Sequence, residues 1–259
     1  MQTTPTNATR TLECGHIENG IFVADASKTG TSQGQIVFHT SENANWGDYP
    51  IFRFTTNASA LQFMNGCTNV TIDGITTNTQ RAKVIEGVCK FTGTVGLGSV
   101  FRFYTIERVR IDGGKISSLS FQEAIKLKKI NAEDWDTSEI TSMSNFFYSC
   151  RYLTEIKCEN WDVKKVTSFN SIFCYCRTIK KLDLSKWENN IATNFSNFLK
   201  GASSIKTVRF GKNFHTTEMT TSMNSMFHAC TSLIKIDLSY FNTSNVTDMQ
   251  SLFQECRSL

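Results

Sequence analysis

The amino-acid sequence predicts a solenoid, a fold in which successive coils of the chain stack along one axis. Tryptophan and cysteine recur every 26 residues in the second half of the chain, and a fixed period of this size is typical of repeat architectures. Within each repeat, a short alternating apolar run precedes apolar residues at helical spacing. One such repeat is too small to cover its own apolar face, so neighbouring repeats must stack on each other.

The composition is that of a globular protein and argues against several functional classes. Of the 259 residues, 40% are hydrophobic and 19% are charged, which argues against disorder over most of the chain. The net charge of +4 comes from lysines and arginines spread along the sequence without a dense basic stripe, so we expect no nucleic-acid partner. No window holds eighteen consecutive apolar residues, so we expect no membrane insertion. The first residues lack the apolar region of a secretory signal.

Two columns of residues fix the period. The first consists of Trp135, Trp161 and Trp187, and it continues at slightly longer steps with Phe214 and Phe241. The second consists of Cys150, Cys176, Cys230 and Cys256, with Ala202 in the place of a fifth cysteine. The longer steps of the aromatic column predict an insertion of two residues in the fourth repeat, near 208–222.

Each repeat changes its hydrophobic periodicity once. Leu153 and Ile156 belong to a short alternating run that favours a strand, and equivalent runs occur in the other repeats. After an aromatic residue and a turn rich in Thr, Ser and Asn come Met143, Phe146 and Phe147, whose i, i+3, i+4 spacing indicates one face of a short helix. We therefore expect parallel strands on one side of the stack and helices on the other.

The residues between the inward strand positions should line the exposed face of the sheet. One such column is formed by Asn131, Lys157, Asp183, Arg209 and Asp237. Opposite charges alternate along it, and neighbouring pairs contribute about 0.2–1 kcal/mol each, so we favour a charge ladder that sets the register. As candidate binding residues we nominate Lys157, Asp183, Arg209 and Asp237. The aromatic column is a further candidate, although most of its members should belong to the core.

The segment LIKIDLSYFNTSNVTDMQSLFQECRSL (233–259) carries a repeat signature that weaker copies share from about residue 127 onward. It resembles the BspA-like leucine-rich repeats of bacterial surface proteins, because strand, turn and helix positions agree together. The resemblance implies a leucine-rich-repeat superhelix that binds through its sheet face or edges, and it offers no catalytic residues to carry over. The third repeat departs from the signature, since KWENNIATNF (186–195) lacks the usual Thr-Ser turn.

The first half of the chain contains short alternating runs and no helical triplets, and we expect it to be all-β. The phrase V-x-I-D-G occurs at 70–74 and again at 109–113, and it is similar to rungs of right-handed parallel β-helices. We expect a tail over 1–11, a β-helix-like domain over 12–120 and the repeat domain over 121–259.

Many β-helix proteins are polysaccharide lyases and hydrolases, so Asp73 and Asp112 are the candidate catalytic pair of an enzymatic alternative. Glycoside hydrolysis uses two carboxyl groups, and these two form the one repeated acidic column of the first half. An Asp before Gly, however, is first of all a turn former. Because no calcium-binding acidic cluster or base accompanies them, we favour the turn.

The sequence predicts no metal site and no cofactor. Cys174 and Cys176 are separated by one residue, too few for a zinc knuckle, and the four histidines are scattered. The repeated cysteines follow the helical triplet, where a small free thiol suits burial. Phosphate loops and nucleophile motifs are likewise missing from the sequence.

These patterns predict a non-enzymatic, structural or adhesive repeat protein that presents an extended face for attachment or protein–protein binding. We expect it at an extracellular surface or in a virion, with a protein or cell-surface glycan as ligand. The last repeat has no cap of its own, so we also expect assembly with other subunits or with itself through that end. The alternatives are a carbohydrate-active β-helix enzyme and a stiff intrachain spacer.

Overall fold

The computed structural model describes residues 93–94, 96–99, 101–102 and 106–259 with their side chains and, before residue 91, the backbone of seven strands. The strands are β1 (Glu13–Glu18), β2 (Ile21–Ala24), β3 (Gln33–Thr40), β4 (Ile51–Thr55), β5 (Asn69–Ile72), β6 (Ile75–Asn78), β7 (Val84–Lys90), β8 (Thr94–Gly98), β9 (Arg108–Asp112), β10 (Lys115–Leu119), β11 (Lys129–Ile130), β12 (Lys181–Leu184) and β13 (Thr207–Phe210). A single-turn 3-10 helix covers Ala132–Asp134. Among the described residues, no helix is long and apolar enough to cross a membrane.

The strands of the first half begin as an antiparallel arrangement and become parallel further along the chain. The largest sheet has the order β11-β9-β7-β3-β4-β1-β2. Its pairs among β1, β2, β3, β4 and β7 are antiparallel, whereas β7 with β9 and β9 with β11 are parallel. This differs from the parallel β-helix expected over 12–120. The shortest connection shows the reason: β1 and β2 are separated by two residues and pair antiparallel, whereas parallel strands need a crossover of a dozen or more residues.

The second half consists of five units, 127–152, 153–178, 179–204, 205–232 and 233–259, which we call units 1 to 5. In units 3 and 4, β12 and β13 pair in parallel, with Asp183 opposite Arg209. A bridge between Thr207 and Lys235 continues this register into unit 5. Units 2 and 5 have no strand here, but Leu153 and Ile156 of unit 2 are buried as the alternating pattern requires.

The segment expected to be a helix forms a series of tight turns instead. The N–H groups of Phe146, Tyr148 and Cys150 close turns to the carbonyl oxygens three residues earlier, at 3.0–3.2 Å. The intervening N–H groups, from Met143 to Ser149, donate to carbonyl oxygens of unit 2 at 2.8–3.0 Å. Beyond its first turn, a helix bonds each N–H within its own segment, whereas here alternate N–H groups join one unit to the next. Asn145 and Ser149 have positive φ angles of 59° and 61°, which are not helical.

A row of threonines, each two residues before the first of these donors, joins the units with the opposite hydrogen-bond direction. The backbone N–H of Thr167 donates to the carbonyl oxygen of Thr141, in the preceding unit, at 2.9 Å, and its Oγ1 donates to the same oxygen at 3.2 Å. The same pair of bonds recurs at each later step. The row consists of Thr141, Thr167, Thr193, Thr221 and Thr247. Each threonine therefore fixes the spacing to the unit before it.

The core is built from aromatic rings that lie above one another from unit to unit. The ring centroids of Trp135 and Trp161 are 5.7 Å apart, and those of Trp161 and Trp187 are 6.1 Å apart, with nearly parallel planes. The indole N–H of Trp161 donates to the carbonyl oxygen of Ala132 at 2.7 Å, and Trp187 donates to that of Cys158 at 2.7 Å. These indoles are buried core residues with their polar groups satisfied.

Unit 4 accommodates two additional residues after its strand. The partner spacing is 26 at Phe210, which lies opposite Leu184, and 28 at Ser222, which bridges Asn194. The extra residues therefore lie between Phe210 and Ser222, within the interval where the sequence predicts the insertion. Gly211 begins this interval and packs directly on the Ser185 carbonyl of unit 3.

Replacing Gly211 by alanine is expected to lower the free energy of unfolding by about 1–3 kcal/mol. A Cβ at this position would overlap the Ser185 carbonyl oxygen, and that oxygen belongs to the backbone and cannot rotate away. Urea denaturation followed by circular dichroism measures the loss. The neighbouring Lys212 is exposed, so Lys212→Ala is the control and should change stability by less than about 0.5 kcal/mol. Equal effects of the two substitutions would contradict the close approach.

Candidate binding face

The exposed face of the β12–β13 pair carries the charged side chains of units 3 and 4. Lys181 and Asp183 are exposed in β12, whereas Leu182 and Leu184 between them are buried. Arg209 is exposed in β13, beside the buried Val208. This alternation follows from the two-residue period of a strand, and it places the nominated Asp183 and Arg209 next to each other on the surface.

Of the four nominated residues, Asp183 and Arg209 form a weak ion pair with each other on this face, and Lys157 pairs weakly with a glutamate of unit 1. Arg209 Nη1 lies 3.8 Å from Asp183 Oδ2, and Lys157 Nζ lies 3.8 Å from Glu133 Oε1 of unit 1. Asp237 lies in register with Arg209 through the Thr207–Lys235 bridge, and it is exposed. Because exposed pairs contribute about 0–1 kcal/mol, these charges are available to a ligand at little cost in stability.

The two aspartates also have a structural role in turn formation. Asp183 Oδ1 accepts the backbone N–H of Ser185 at 2.9 Å, and Asp237 Oδ1 accepts that of Ser239 at 2.9 Å. Burial raises the pKa of Asp183, but the hydrogen bonds from Ser185 and the charge of Arg209 outweigh it, so the pKa lies below its ordinary value. The hydrogen bonds from Ser239 lower the pKa of Asp237. Both carboxylates cap the turn that ends the strand segment.

Asn131 does not belong to the exposed ladder that the sequence predicts. Its Oδ1 accepts the backbone N–H of Ile111 at 2.8 Å and the indole N–H of Trp135 at 3.1 Å. Its Nδ2 donates to the Ile111 carbonyl at 2.9 Å. The amide therefore ties β9 to unit 1, a task that a charged residue at this position could not perform.

An open groove of about 680 Å³ crosses the face between units 2 and 3. Its lining is mixed in charge. The carboxylates come from Glu155 and Glu159 on the unit 2 side and from Asp183, and the lysines are Lys157, Lys180, Lys181 and Lys186. The column of alternating charges in the sequence does not include Lys180, Lys181 and Lys186, so these three were not among the predicted binding residues. A signal was present, because IKKLDLSK (179–186) and IKTVRFGK (205–212) place lysines 26 residues apart at both ends.

The catalytic pair of the enzymatic alternative is described only in part, since Asp73 lies outside the described residues. The Asp112 carboxylate accepts two hydrogen bonds from Arg110 Nε, at 2.9 and 2.8 Å. It also accepts one from Asn131 Nδ2 at 3.4 Å. Gly113 and Gly114, which follow, have φ angles of 79° and 52°, as a turn after the strand requires.

The cysteines of the repeat units are free thiols within the core. Their thiols donate to a carbonyl oxygen of the preceding unit at 3.0–3.3 Å, as seen at Cys150, Cys176, Cys230 and Cys256. Burial raises the pKa of each of these thiols, and it raises that of Cys174 to about 12. In the described part of the chain, no group of three or more His, Cys, Asp or Glu residues could hold a metal ion.

Asn189 is a buried polar side chain of unit 3 that was not predicted from the sequence. Asn189 Nδ2 donates to the carbonyl oxygens of Val163 and Val166 of unit 2, at 2.6 and 2.8 Å. Its Oδ1 accepts the backbone N–H groups of Ile191 and Ala192, at 3.1 and 2.9 Å. All the hydrogen-bonding capacity of this amide is thus used. The loss of the Thr-Ser turn in KWENNIATNF was the available signal.

Comparison with known proteins identifies the second half of the chain. Residues 116–210 and 209–259 match one family, and together they make up more than half of the 259 residues. No curated protein and no solved structure matches the chain significantly. The chain therefore belongs to the family described as "Mycoplasma protein of unknown function, DUF285".

Proposed function

We propose that this protein is a non-enzymatic, structural or adhesive repeat protein that presents an extended face for attachment. The observation that carries the proposal is the separation of roles within each unit. Aromatic rings and turns hold the units together, and the strand face exposes charged side chains whose ion pairs contribute little to stability. Such a face suits a protein or cell-surface glycan ligand at an extracellular surface or on a virion.

The proposal includes the fold, a solenoid akin to the BspA-like leucine-rich repeats. Three features support it: the hydrogen bonds between successive units, the parallel strand pair of units 3 and 4, and the stacked indoles. Each unit contacts its neighbours through equivalent positions 25 to 28 residues apart. A stack of this kind extends a surface by adding units and does not need a deep pocket.

Attachment through this face is testable with purified ligands. Labelled protein is passed over immobilised cell-surface glycans and extracellular-matrix proteins, and retention is measured by biolayer interferometry. A variant carrying Lys157→Gln, Asp183→Asn, Arg209→Gln and Asp237→Asn should bind at least about tenfold more weakly, a loss of about 1.4 kcal/mol. The amide replacements keep the hydrogen-bond acceptors that cap the turns.

The chain offers a matched control with the same change of charge. Lys164 pairs with Glu188 at 3.1 Å, and Lys165 pairs with Glu139 at 3.0 Å, away from the strand face. Replacing these four residues by glutamine should leave retention unchanged. The proposal fails if no immobilised ligand retains the protein, or if the control weakens binding equally. It also fails if the protein cleaves acidic polysaccharides and Asp112→Asn abolishes the cleavage.

A further inference from the structure

We propose that the strand face of units 3 and 4 binds an anionic polysaccharide through a cluster that we call the basic strip. The strip consists of Lys180, Lys181, Lys186, Lys206, Arg209 and Lys212. This inference rests on the proposed function and names the chemical class of its ligand. Sulfate or carboxylate groups along the polysaccharide would pair with the ammonium and guanidinium groups.

The fold concentrates these cations although the sequence separates them. The backbone N–H of Lys206 donates to the carbonyl oxygen of Lys180 at 2.8 Å, so the two residues lie on adjacent coils. Lys181 lies opposite Thr207 in the parallel register, and neighbouring strands are about 4.8 Å apart. β12 itself covers about 10 Å from Lys181 to Leu184, and Lys186 lies in the turn that follows. The six cations therefore lie on two adjacent coils, at both ends of the paired strands, where several anionic groups of one polymer can reach them.

Charge of one sign dominates the strip. Residues 180–186 and 206–212 contain six basic side chains and one acidic side chain, a net charge of +5, whereas the whole chain carries +4. The equivalent segments of units 2 and 5 differ. Residues 154–160 contain Lys157 with two glutamates, and residues 234–240 contain Lys235 with Asp237. The excess of positive charge is thus a property of units 3 and 4.

Most of this charge has no internal partner. Among the described residues, the one ion pair made by the strip is that of Arg209 with Asp183 at 3.8 Å, and the Arg209 side chain is 75% exposed. Lys186 donates to Asn160 Oδ1 at 3.0 Å, which leaves its charge unneutralised. Adjacent like charges destabilise a sheet face, so a polyanion that neutralises them gains binding energy.

The surroundings of the strip favour a sugar polymer over a nucleic acid. Asp183 and Ser185 line the groove beside the lysines, and their oxygens can accept hydrogen bonds from sugar hydroxyls. Binding of single-stranded nucleic acid relies on aromatic side chains that stack on bases. Within the two segments of the strip, the aromatic residue is Phe210, which is half-buried against Phe241 at 5.1 Å. These two segments therefore offer a base no exposed ring, and on the adjacent coil, residues 234–240, the exposed ring is that of Tyr240 alone.

Binding to four immobilised polymers tests the inference: heparin, hyaluronan, neutral dextran and single-stranded DNA. The dissociation constant is measured by biolayer interferometry at salt concentrations between about 50 and 200 mM. We expect binding to heparin, weaker binding to hyaluronan, and none to dextran. The variant with Lys180→Gln, Lys181→Gln and Lys206→Gln, which disturbs no ion pair among the described residues, should bind heparin at least about tenfold more weakly. The slope of log K against log salt should fall by about two to three.

A matched variant removes three charges elsewhere, by Arg151→Gln, Arg177→Gln and Lys200→Gln, likewise without disturbing an ion pair of the described residues, and should bind heparin like the parent. The inference is overturned if heparin is not bound, if both variants lose affinity equally, or if DNA binds as tightly as heparin. In the last case the strip is a nucleic-acid surface. If the protein binds an immobilised protein ligand but does not bind heparin, the inference is wrong and the proposed function still holds. Failure with every ligand would sink both.

Discussion

Replacing Trp161 by alanine is expected to lower the free energy of unfolding by about 3–5 kcal/mol. Trp161 is 3% exposed and lies between the rings of Trp135 and Trp187. The substitution removes both stacking contacts and opens a cavity that the flanking coils cannot fill. It also leaves the Ala132 carbonyl without the indole N–H that donates to it at 2.7 Å, and a buried unpaired acceptor adds to the cost.

Chemical denaturation with urea measures this loss, and two further variants divide it into its parts. Trp161→Phe keeps an aromatic ring in the stack but lacks the N–H donor, so it should cost less than Trp161→Ala. Tyr152→Ala is the control, because that ring is 47% exposed and its contact in the described structure is with the Lys126 ammonium. A loss below about 1 kcal/mol for Trp161→Ala would show that the ring stack is not the core.

The folded state is expected to lose stability steeply above the ordinary thiol pKa of about 8.5. Burial holds the pKa of Cys174 at about 12 and raises the pKa values of Cys150, Cys158, Cys176 and Cys230. The stability that these neutral thiols contribute is fully present below the unfolded pKa. Above it the unfolded chain releases thiol protons and the folded chain keeps them, so each buried thiol costs about 1.4 kcal/mol per pH unit. For Cys174 the loss continues to about pH 12.

Thermal unfolding followed by circular dichroism between about pH 7 and pH 10 measures this dependence. Burial also raises the pKa of Tyr148, so the thiol contribution needs its own control. The variant with Cys150→Ala and Cys176→Ala supplies it, because Ala202 already occupies the equivalent buried position in unit 3. Its midpoint should fall less with pH than that of the parent. Identical pH profiles would contradict a role for the thiols.

The period of the repeats and the identity of the core were predictable from the sequence. Apolar side chains such as Trp161 recur at fixed steps because each coil must bury the same positions, and the rings that share a column do lie on one another. The charged neighbours Asp183 and Arg209 were predictable for a related reason. Strand residues alternate between two faces, so the register of the repeats determines which charges meet.

The turns that replace the expected helix could not be predicted from apolar spacing. Met143, Phe146 and Phe147 are buried in a chain of turns just as they would be on a helix, so the pattern does not distinguish the two. The difference lies in the backbone, where the positive φ angles of Asn145 and Ser149 direct alternate N–H groups to the next unit. Residue types that only modestly disfavour this conformation carry no clear signal of it.

The basic strip shows a different limit of sequence reasoning. Lys180 and Lys206 are 26 residues apart, and the chain has no dense run of basic residues, so a linear count finds charge evenly distributed. The hydrogen bond between their backbones makes them neighbours. A surface cluster of a repeat protein combines residues from adjacent repeats. It is recognised only when the repeats are aligned with one another.

The two opposed sets of hydrogen bonds between units have an electrostatic consequence for a long assembly. The alternate N–H groups of Met143, Asn145, Phe147 and Ser149 donate to the following unit, while that of Thr167 donates back to Thr141. In an α-helix all peptide dipoles add, and the ends acquire partial charges. Here more N–H groups donate forward than back, so the opposed dipoles offset one another only in part, and a long stack keeps an axial field that is weaker than that of a helix with all its peptides aligned.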